Sequence, residues 1–391
     1  MISVEEALKL IQSNCLSLKP EMHFLYDSTG LILAKDVVSP INMPPFRQSA
    51  MDGYALNFQS EIKTYQIVGE IAAGSAQKFN LQIGEAVRIF TGSAVPDSAN
   101  TVIQQEIVTR TANEINLTTD FLTDQNIRKF GEQIKVGEIA LTKNTKLTPA
   151  ATGHLASLGI DKVSVIPHPK IGLLTTGNEL VEPGNKLEHG QIFESNSTMI
   201  VSALEEHHFN QLTKLKTKDD LEATKIALQK LLNENNVVLI SGGISVGDYD
   251  FVKTALNQLG VTEIFYKVKQ KPGKPLFFGT FNHKLIFALP GNPAAALTCF
   301  YLYVLPALQK ISGKEFIGLK KVKRKFKSSY SKKSGLAHFL KSNADEDFVT
   351  ISEGQSSAML QTFAVANAIT FIPESVEQQN TNDLVDVYLL D

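Results

Sequence analysis

The 391-residue sequence predicts a multidomain α/β-plus-β protein organised round a central, doubly wound, mainly parallel sheet. Three observations predict it. Beyond Lys170 the apolar pattern alternates strand, helix, strand, which puts helices on both faces of one sheet. Between residues 46 and 143 it changes to short runs broken by Gly, Asn, Asp and Thr, the mark of a separate β-rich insertion. The chain is also too long for one ordinary core, so roughly two to four domains are expected.

The elements follow in order. Ser3 and Glu6 form a capping box ahead of Ala7, Leu8, Leu10 and Ile11, the first helix. An extended stretch over 31–39 runs into Pro40 and then Pro44-Pro45. The insertion carries strands at 64–68, 86–90, 101–106 and 114–118, and helix returns at 148–158. In the α/β region, strands are expected at 171–175, 237–240, 263–266 and 285–289, with helices at 198–207, 220–232 and 294–311. A ligand crevice in such a sheet lies outside the carboxyl ends of its strands. The loops after Thr175, Ile240 and Leu289, rich in glycine and polar residues, are all at such ends. The Lys-rich segment 314–333 reads better as a solvated strand and linker than as an anion patch. Runs at 348–351, 368–372 and 384–389 predict a small C-terminal β domain.

Composition narrows the function. A net charge of −2 gives no electrostatic reason to expect nucleic acid. Cys15 and Cys299 are too few for a disulfide framework or a thiolate metal cluster, and Cys299 sits in an apolar helical run as a small buried residue. No signal peptide is read ahead of the first helix and no apolar run is read as long enough to cross a bilayer, so no membrane is expected and the cytoplasm is the expected compartment.

The chemistry is in the loops. After the apolar run at 237–240 come Ser241, Gly242, Gly243, Ser245 and Gly247, then Asp248 and Asp250, and a helix begins at once with Phe251, Val252, Ala255, Leu256 and Leu259 on one face. Glycines at a strand-to-helix junction let backbone N–H groups converge on an anion, and the aspartates point to a divalent cation beside a phosphate. Thr175, Thr176 and Gly177 are placed to line a nucleotide or pterin, with the Glu179 carboxylate at the mouth. In Lys271-Pro272-Gly273-Lys274-Pro275 the prolines stiffen a loop that carries two cationic heads. Leu289-Pro290-Gly291-Asn292-Pro293 joins a buried strand directly to a helix through two fixed φ angles. In the insertion, the loops containing Asp52-Gly53 and Thr91-Gly92 read as turns. Neither a nucleophile triad, a His cluster nor a zinc spacing is visible; the His207-His208 pair is expected at the surface.

Together and in this order, these motifs resemble the molybdopterin molybdotransferase family, which comprises bacterial MoeA and the E domain of gephyrin and its plant counterparts. They are SAMDGYA at 49–55, FTG…VP at 90–96, TTGNEL at 175–180, SGGISVGDYD at 241–250, KPGKP at 271–275, LPGNP at 289–293 and QSSAMLQTFAVANA at 355–368, so the resemblance spans essentially the whole chain. It implies an elongated subunit of four domains. These are a linking domain at 1–45 plus 144–168, a β-rich lid at 46–143, a molybdopterin-binding-like α/β domain at 169–314, and a C-terminal β-barrel at 315–391. It also implies a homodimer, in which Asp52 and Thr91 enter the partner's site. The implied reaction inserts molybdate into adenylylated molybdopterin and releases AMP. Carried over by residue, Glu179 and Asp250 become Mg²⁺ ligands and Asp220 a further functional carboxylate. Ser241, Gly242, Gly243, Ser245 and Gly247 cradle phosphate and pterin, Lys271 and Lys274 hold molybdate, and Pro290 and Pro293 shape the rim. A molybdopterin adenylyltransferase and proteins that mature molybdoenzymes are the implied partners. The chain departs from the family at Gln133, where a carboxylate is common, at Ala295, where a hydroxyl is common, and at Leu336, where an arginine is usual; Lys332, Lys333 and Lys341 are the substitutes nearby. The competing readings are the adenylyltransferase itself, whose fold requires neither the β insertion nor the C-terminal domain, and a non-catalytic scaffold.

Overall fold

The computed structural model describes residues 1–243 and 251–390. They form two compact units, one of Met1–Glu21 with Ile166–Asp391 and one of Met22–Val165. Ser245, Gly247 and Asp250 lie outside the described residues.

The first unit is built round a six-stranded sheet, ordered in space Leu212–Thr217, Ile171–Thr176, Val237–Ser241, Lys284–Leu289, Pro275–Phe281 and Thr262–Lys267. The first four are parallel, and Pro275–Phe281 runs against both of its neighbours. Every residue of Ile171–Thr176 and Val237–Ser241 is buried, which is why these strands read as unbroken apolar runs. The two-residue period of a strand then divides them between two cores. Leu173, Leu239 and Phe287 face one, with the helices Val4–Asn14, Asn196–Glu206 and the run from Pro293. Leu174, Val238, Ile240 and Ile286 face the other, with Leu221–Glu234 and Phe251–Gln258. The sheet is therefore covered on both sides, as the sequence predicts.

The first helix is capped by Ser3, whose hydroxyl accepts from the Glu6 N–H at 3.1 Å, and Ala7 and Ile11 anchor it in the core of this unit. The apolar helix over 293–311 corrects one expectation, because at 19 residues it is long and apolar enough to span a bilayer. It is instead a core helix, with 89% of its apolar stretch buried. It is α-helical at Pro293–Cys299 and Leu305–Ile311, with a π turn at Phe300–Val304 between them. Pro306, which has no N–H for the Leu302 carbonyl, stands just after that turn.

The five strands Lys321–Phe326, Ala337–Ala344, Phe348–Ile351, Ala368–Ile372 and Leu384–Leu389 close into a barrel, because Ala337–Ala344 pairs with both Phe348–Ile351 and Ala368–Ile372. Phe326, Leu340, Val349, Ile372 and Val387 fill it. The Lys-rich segment supplies the first strand, whose Lys321 and Lys323 both reach Asp386, at 2.8 and 2.7 Å. Gln270–Lys271 pairs in parallel with the start of Ala337–Ala344 and so ties the barrel to the central domain.

In the Met22–Val165 unit, a six-stranded sheet runs in the order Thr101–Gln104, Gly53–Leu56, Glu85–Ile89, Thr64–Ile71, Glu114–Leu117, Val108–Arg110. Apolar clusters cover it on both faces, one round Val87 and Val102, the other round Tyr54, Tyr65 and Ile103. A further small core gathers Leu33, Leu147, Leu155 and Val163.

Two histidines make the first unit acid-sensitive. Burial, assisted by Lys314 and His208, pushes His168 down to about 4. Burial, assisted by Lys332 and Lys271, does the same to His338, which bonds the Tyr330 hydroxyl at 2.8 Å. Both values are depressed in the folded state, so the unfolded chain takes up these protons first as pH falls. Stability is then full above about pH 6.5 and declines between about 6.5 and 4. Urea midpoints measured across that window should fall, and His168→Phe should flatten the fall.

Candidate functional site

The parallel sheet has a switch point between Ile171–Thr176 and Val237–Ser241, since the chain leaves the first strand to one side and returns on the other. At that end of the sheet a cleft of about 790 Å³ opens. Thr176, Gly177 and Glu179 line it from the first loop, Ser241 to Gly243 from the second, and Pro290 to Pro293 from the third. All three predicted loops thus meet in one place.

The glycines there are imposed by geometry. Gly242 has φ +94°, and a Cβ on it would stand 2.5 Å from the Thr176 carbonyl oxygen. Gly243, at φ +68°, would drive one to 2.5 Å from Val252 Cγ2. Without side chains both leave the backbone approachable by a ligand. Asn196 braces this corner, its Nδ2 donating to Ser241 Oγ at 2.9 Å and to the Gly291 carbonyl at 2.8 Å. It joins the second loop to the third. Glu194 is buried two residues earlier, its carboxylate accepting from the Ser197 N–H at 2.9 Å and from the Ser197 hydroxyl.

The third loop is braced by the barrel. Ser357 accepts from the N–H groups of Ala294 and Ala295 through its carbonyl, at 3.0 and 3.3 Å, and from Asn292 Nδ2 through its hydroxyl, at 2.8 Å. Ala358 lines the cleft. Behind it, the buried Lys341 donates to the carbonyls of Gly354, Ser356 and Met359 at 2.7, 3.1 and 2.9 Å. Burial lowers its pKa. All three of its donors are engaged, so Lys341 is a structural clamp rather than a replacement for the arginine that Leu336 lacks. Lys332 likewise donates to the Glu374 carbonyl at 3.1 Å.

The remaining residues divide clearly. Lys271 and Lys274 are exposed on their loop and do not line the cleft, whereas Pro275 does. The loop is held from within by Gln270, whose Nε2 donates to the carbonyls of Pro272 and Gly273 at 3.1 and 3.2 Å and whose Oε1 accepts from the Tyr303 hydroxyl. Gly273 lies against buried Cys299, 2.5 Å from its sulfur if given a Cβ, so the small-residue reading of Cys299 fits. Thr175 is buried in its strand and lies outside the cleft lining. Asp220 is the N-cap of Leu221–Glu234, accepting from the Ala223 N–H at 2.8 Å, and lies outside the cleft lining. Its neighbour Asp219 lines the cleft, oriented by the Asn178 N–H at 3.1 Å. His207 is half-buried, edge-on to Tyr301, rather than at the surface.

In the other unit, the two turn-like motifs come together. Asp52 Oδ1 accepts from both the N–H and the hydroxyl of Thr91, each at 2.7 Å. These two bonds, backbone first, hold the exposed carboxyl below its usual range. Arg47 clamps the second loop at the carbonyls of Pro96 and Ala99, at 3.2 and 2.8 Å. Gly53 lets its strand approach Ile103, whose oxygen would lie 1.8 Å from an added Cβ.

Three family models cover nearly the whole chain: the MoeA N-terminal region (domain I and II) matches residues 2–159, a probable molybdopterin binding domain 172–310, and the MoeA C-terminal region (domain IV) 323–390. The chain belongs to the MoeA family. A molybdopterin molybdenumtransferase of Staphylococcus epidermidis is 30% identical over 99% of this chain and 95% of its own length. One of Haemophilus influenzae is 35% identical over 81% of this chain and 79% of its own. Among solved structures, a molybdopterin biosynthesis MoeA protein of Pyrococcus horikoshii superposes with a TM-score of 0.84 at 31% identity, covering 100% of this chain and 99% of that one. The MoeA fold expected from the motifs, with its α/β centre and closed C-terminal barrel, is the fold observed. Asp219, Glu194, Asn196 and the Ser357 clamp were not anticipated in the site. Two of them had a signal: Ser357 lies within the motif at 355–368, and an Asp immediately before a helix is an N-cap, which leaves Asp219 available to the cleft.

Proposed function

We propose that this MoeA-family chain inserts molybdate into adenylylated molybdopterin and releases AMP, in the cytoplasm and as a homodimer. The observation that carries the reading is the convergence of three glycine- and proline-bearing loops on one cleft at the carboxyl edge of the parallel sheet. Gly242 and Gly243 admit the anionic part of the substrate to the backbone, while Ser241 is held in register by Asn196. Lys271 and Lys274 stand outside the cleft lining on a loop fixed by Gln270, which meets the cleft at Pro275, and would be the cations for a second anion bound at that edge.

Among the described residues three carboxylates line the cleft; Glu194 is taken up by Ser197, and Glu179 and Asp219 are hard oxygen donors of the kind that hold Mg²⁺ together with substrate phosphates, so their chemistry fits that ion. Bound there, Mg²⁺ would neutralise the pyrophosphate and favour AMP as leaving group. The adenylylated substrate implies an adenylyltransferase upstream and molybdoenzyme-maturation proteins downstream.

The partner protomer is proposed to bring Asp52 and Thr91, held together as an exposed tip, to this cleft. The test is complementation. Glu179→Ala and Asp52→Ala homodimers should each release AMP at a rate near background from adenylylated molybdopterin and molybdate. Mixed and re-equilibrated, they should recover about a quarter of the wild-type rate, because about half the dimers then carry one intact site of two. No recovery on mixing would remove the shared site. ATP-dependent adenylylation of molybdopterin by the wild-type chain would instead favour the adenylyltransferase.

A further inference from the structure

One part of the cleft wall is apolar and open. Leu180, Ile192 and Phe193 line it, and Ile192 and Phe193 are 55% and 45% exposed. Large apolar side chains left open inside a binding cleft mark a contact surface for a ligand. These are held on a fixed backbone. Leu180–Val181 and Ile192–Phe193 form a short parallel pair, with the Ile192 N–H on the Glu179 carbonyl at 2.9 Å and the Glu194 N–H on the Val181 carbonyl at 2.8 Å. The residue after Phe193 is the buried Glu194, locked to Ser197. The same cleft thus joins a glycine corner suited to an anion with a preorganised aromatic ledge.

We infer that Phe193, carried on the short parallel pair and registered against Val181, is a stacking ledge for a planar fused nitrogen heterocycle and sets the cleft's specificity for such a ring. The inference rests on the function proposed above, whose substrate carries two rings of this class, pterin and adenine. Aromatic faces hold such rings by stacking, whichever base they carry.

The sequence contains no tryptophan, so Phe193→Trp installs a unique fluorophore on the ledge. Titrating that variant with AMP, and separately with a free pterin, should quench its emission saturably by about twofold or more with at least one of them; which one identifies the ring. Ile226→Trp, at a 71% exposed position on the Leu221–Glu234 helix and outside the cleft lining, should respond to neither. Phe193→Leu should raise KM for adenylylated molybdopterin roughly tenfold with kcat little changed, and Phe193→Tyr should keep the wild-type KM. Emission unmoved by both compounds overturns the inference. So does emission that shifts to the blue as protein concentration rises, because a second copy of the chain then covers the ledge. If the tryptophan variant fails to fold, the Leu and Tyr variants decide alone: an unchanged KM in both overturns the ledge. A wild-type chain that inserts no molybdate while the indole still responds would remove the proposed function and leave the ledge standing.

Discussion

Gly242→Ala is expected to lower turnover at least about a hundredfold while leaving the fold intact. The new methyl would meet the Thr176 carbonyl oxygen at 2.5 Å, at a φ of +94° that Ala adopts only under strain. Thr176 has little room to retreat, because it is buried, pairs with Thr217, and directly follows Thr175, which is paired on both sides. The loop must therefore move, and a displacement of about 1 Å beside reacting groups costs on the order of a hundredfold. Single-turnover AMP release measures the loss, and circular dichroism checks the fold. Gly291→Ala is the control: it lines the same cleft, but a Cβ there meets nothing within 4 Å. It should stay within about twofold of wild type. Equal losses at both positions would defeat the steric account.

Lys341→Met should destabilise the first unit by roughly 2–4 kcal/mol, because three carbonyls lose a charge-assisted donor in a place that water does not reach. The damage should be local first. The 354–359 loop carries Ser357 and Ala358, so its loosening frees the N-terminus of Pro293–Cys299 and one edge of the cleft. Hydrogen exchange should accelerate at Ala294 and Ala295 before the barrel strands respond. Thermal unfolding gives the global cost, and unchanged exchange at those two amides would remove Lys341 as the source of the coupling. Lys341→Arg tests the geometry, since a planar fork does not reproduce three ammonium bonds.

These features differ in how far the sequence announces them. The buried strands at 171–176 and 237–241 were legible because burial on both faces forces an unbroken apolar run. The Leu212–Thr217 strand was missed because it stands at the sheet edge and alternates lysines with half-buried residues. Pro275–Phe281 was missed because its residues were absorbed into the reading of the lysine loop. The cleft loops were legible from their glycines and prolines, which report backbone needs that act locally. Asn196 and Ser357 act across the fold, joining segments separated by 45 to 95 residues for Asn196 and 65 for Ser357 and Asn292. Their partners carry no local signature: even within the motif at 355–368, nothing in Ser357's neighbours names Asn292 or the Ala294 amide.

Ser357 also decides where negative charge can settle along the sheet's carboxyl edge. The Pro293–Cys299 helix aims its positive pole at the cleft rim, yet Pro293 has no amide proton, Ser357 occupies those of Ala294 and Ala295, and Asn292 takes that of Ala296. That pole is stoppered. An incoming phosphate would find the amides of Ala294, Ala295 and Ala296 already engaged, so a loop borrowed from the barrel bears on where a ligand's charge would settle, at a distance from its own sheet.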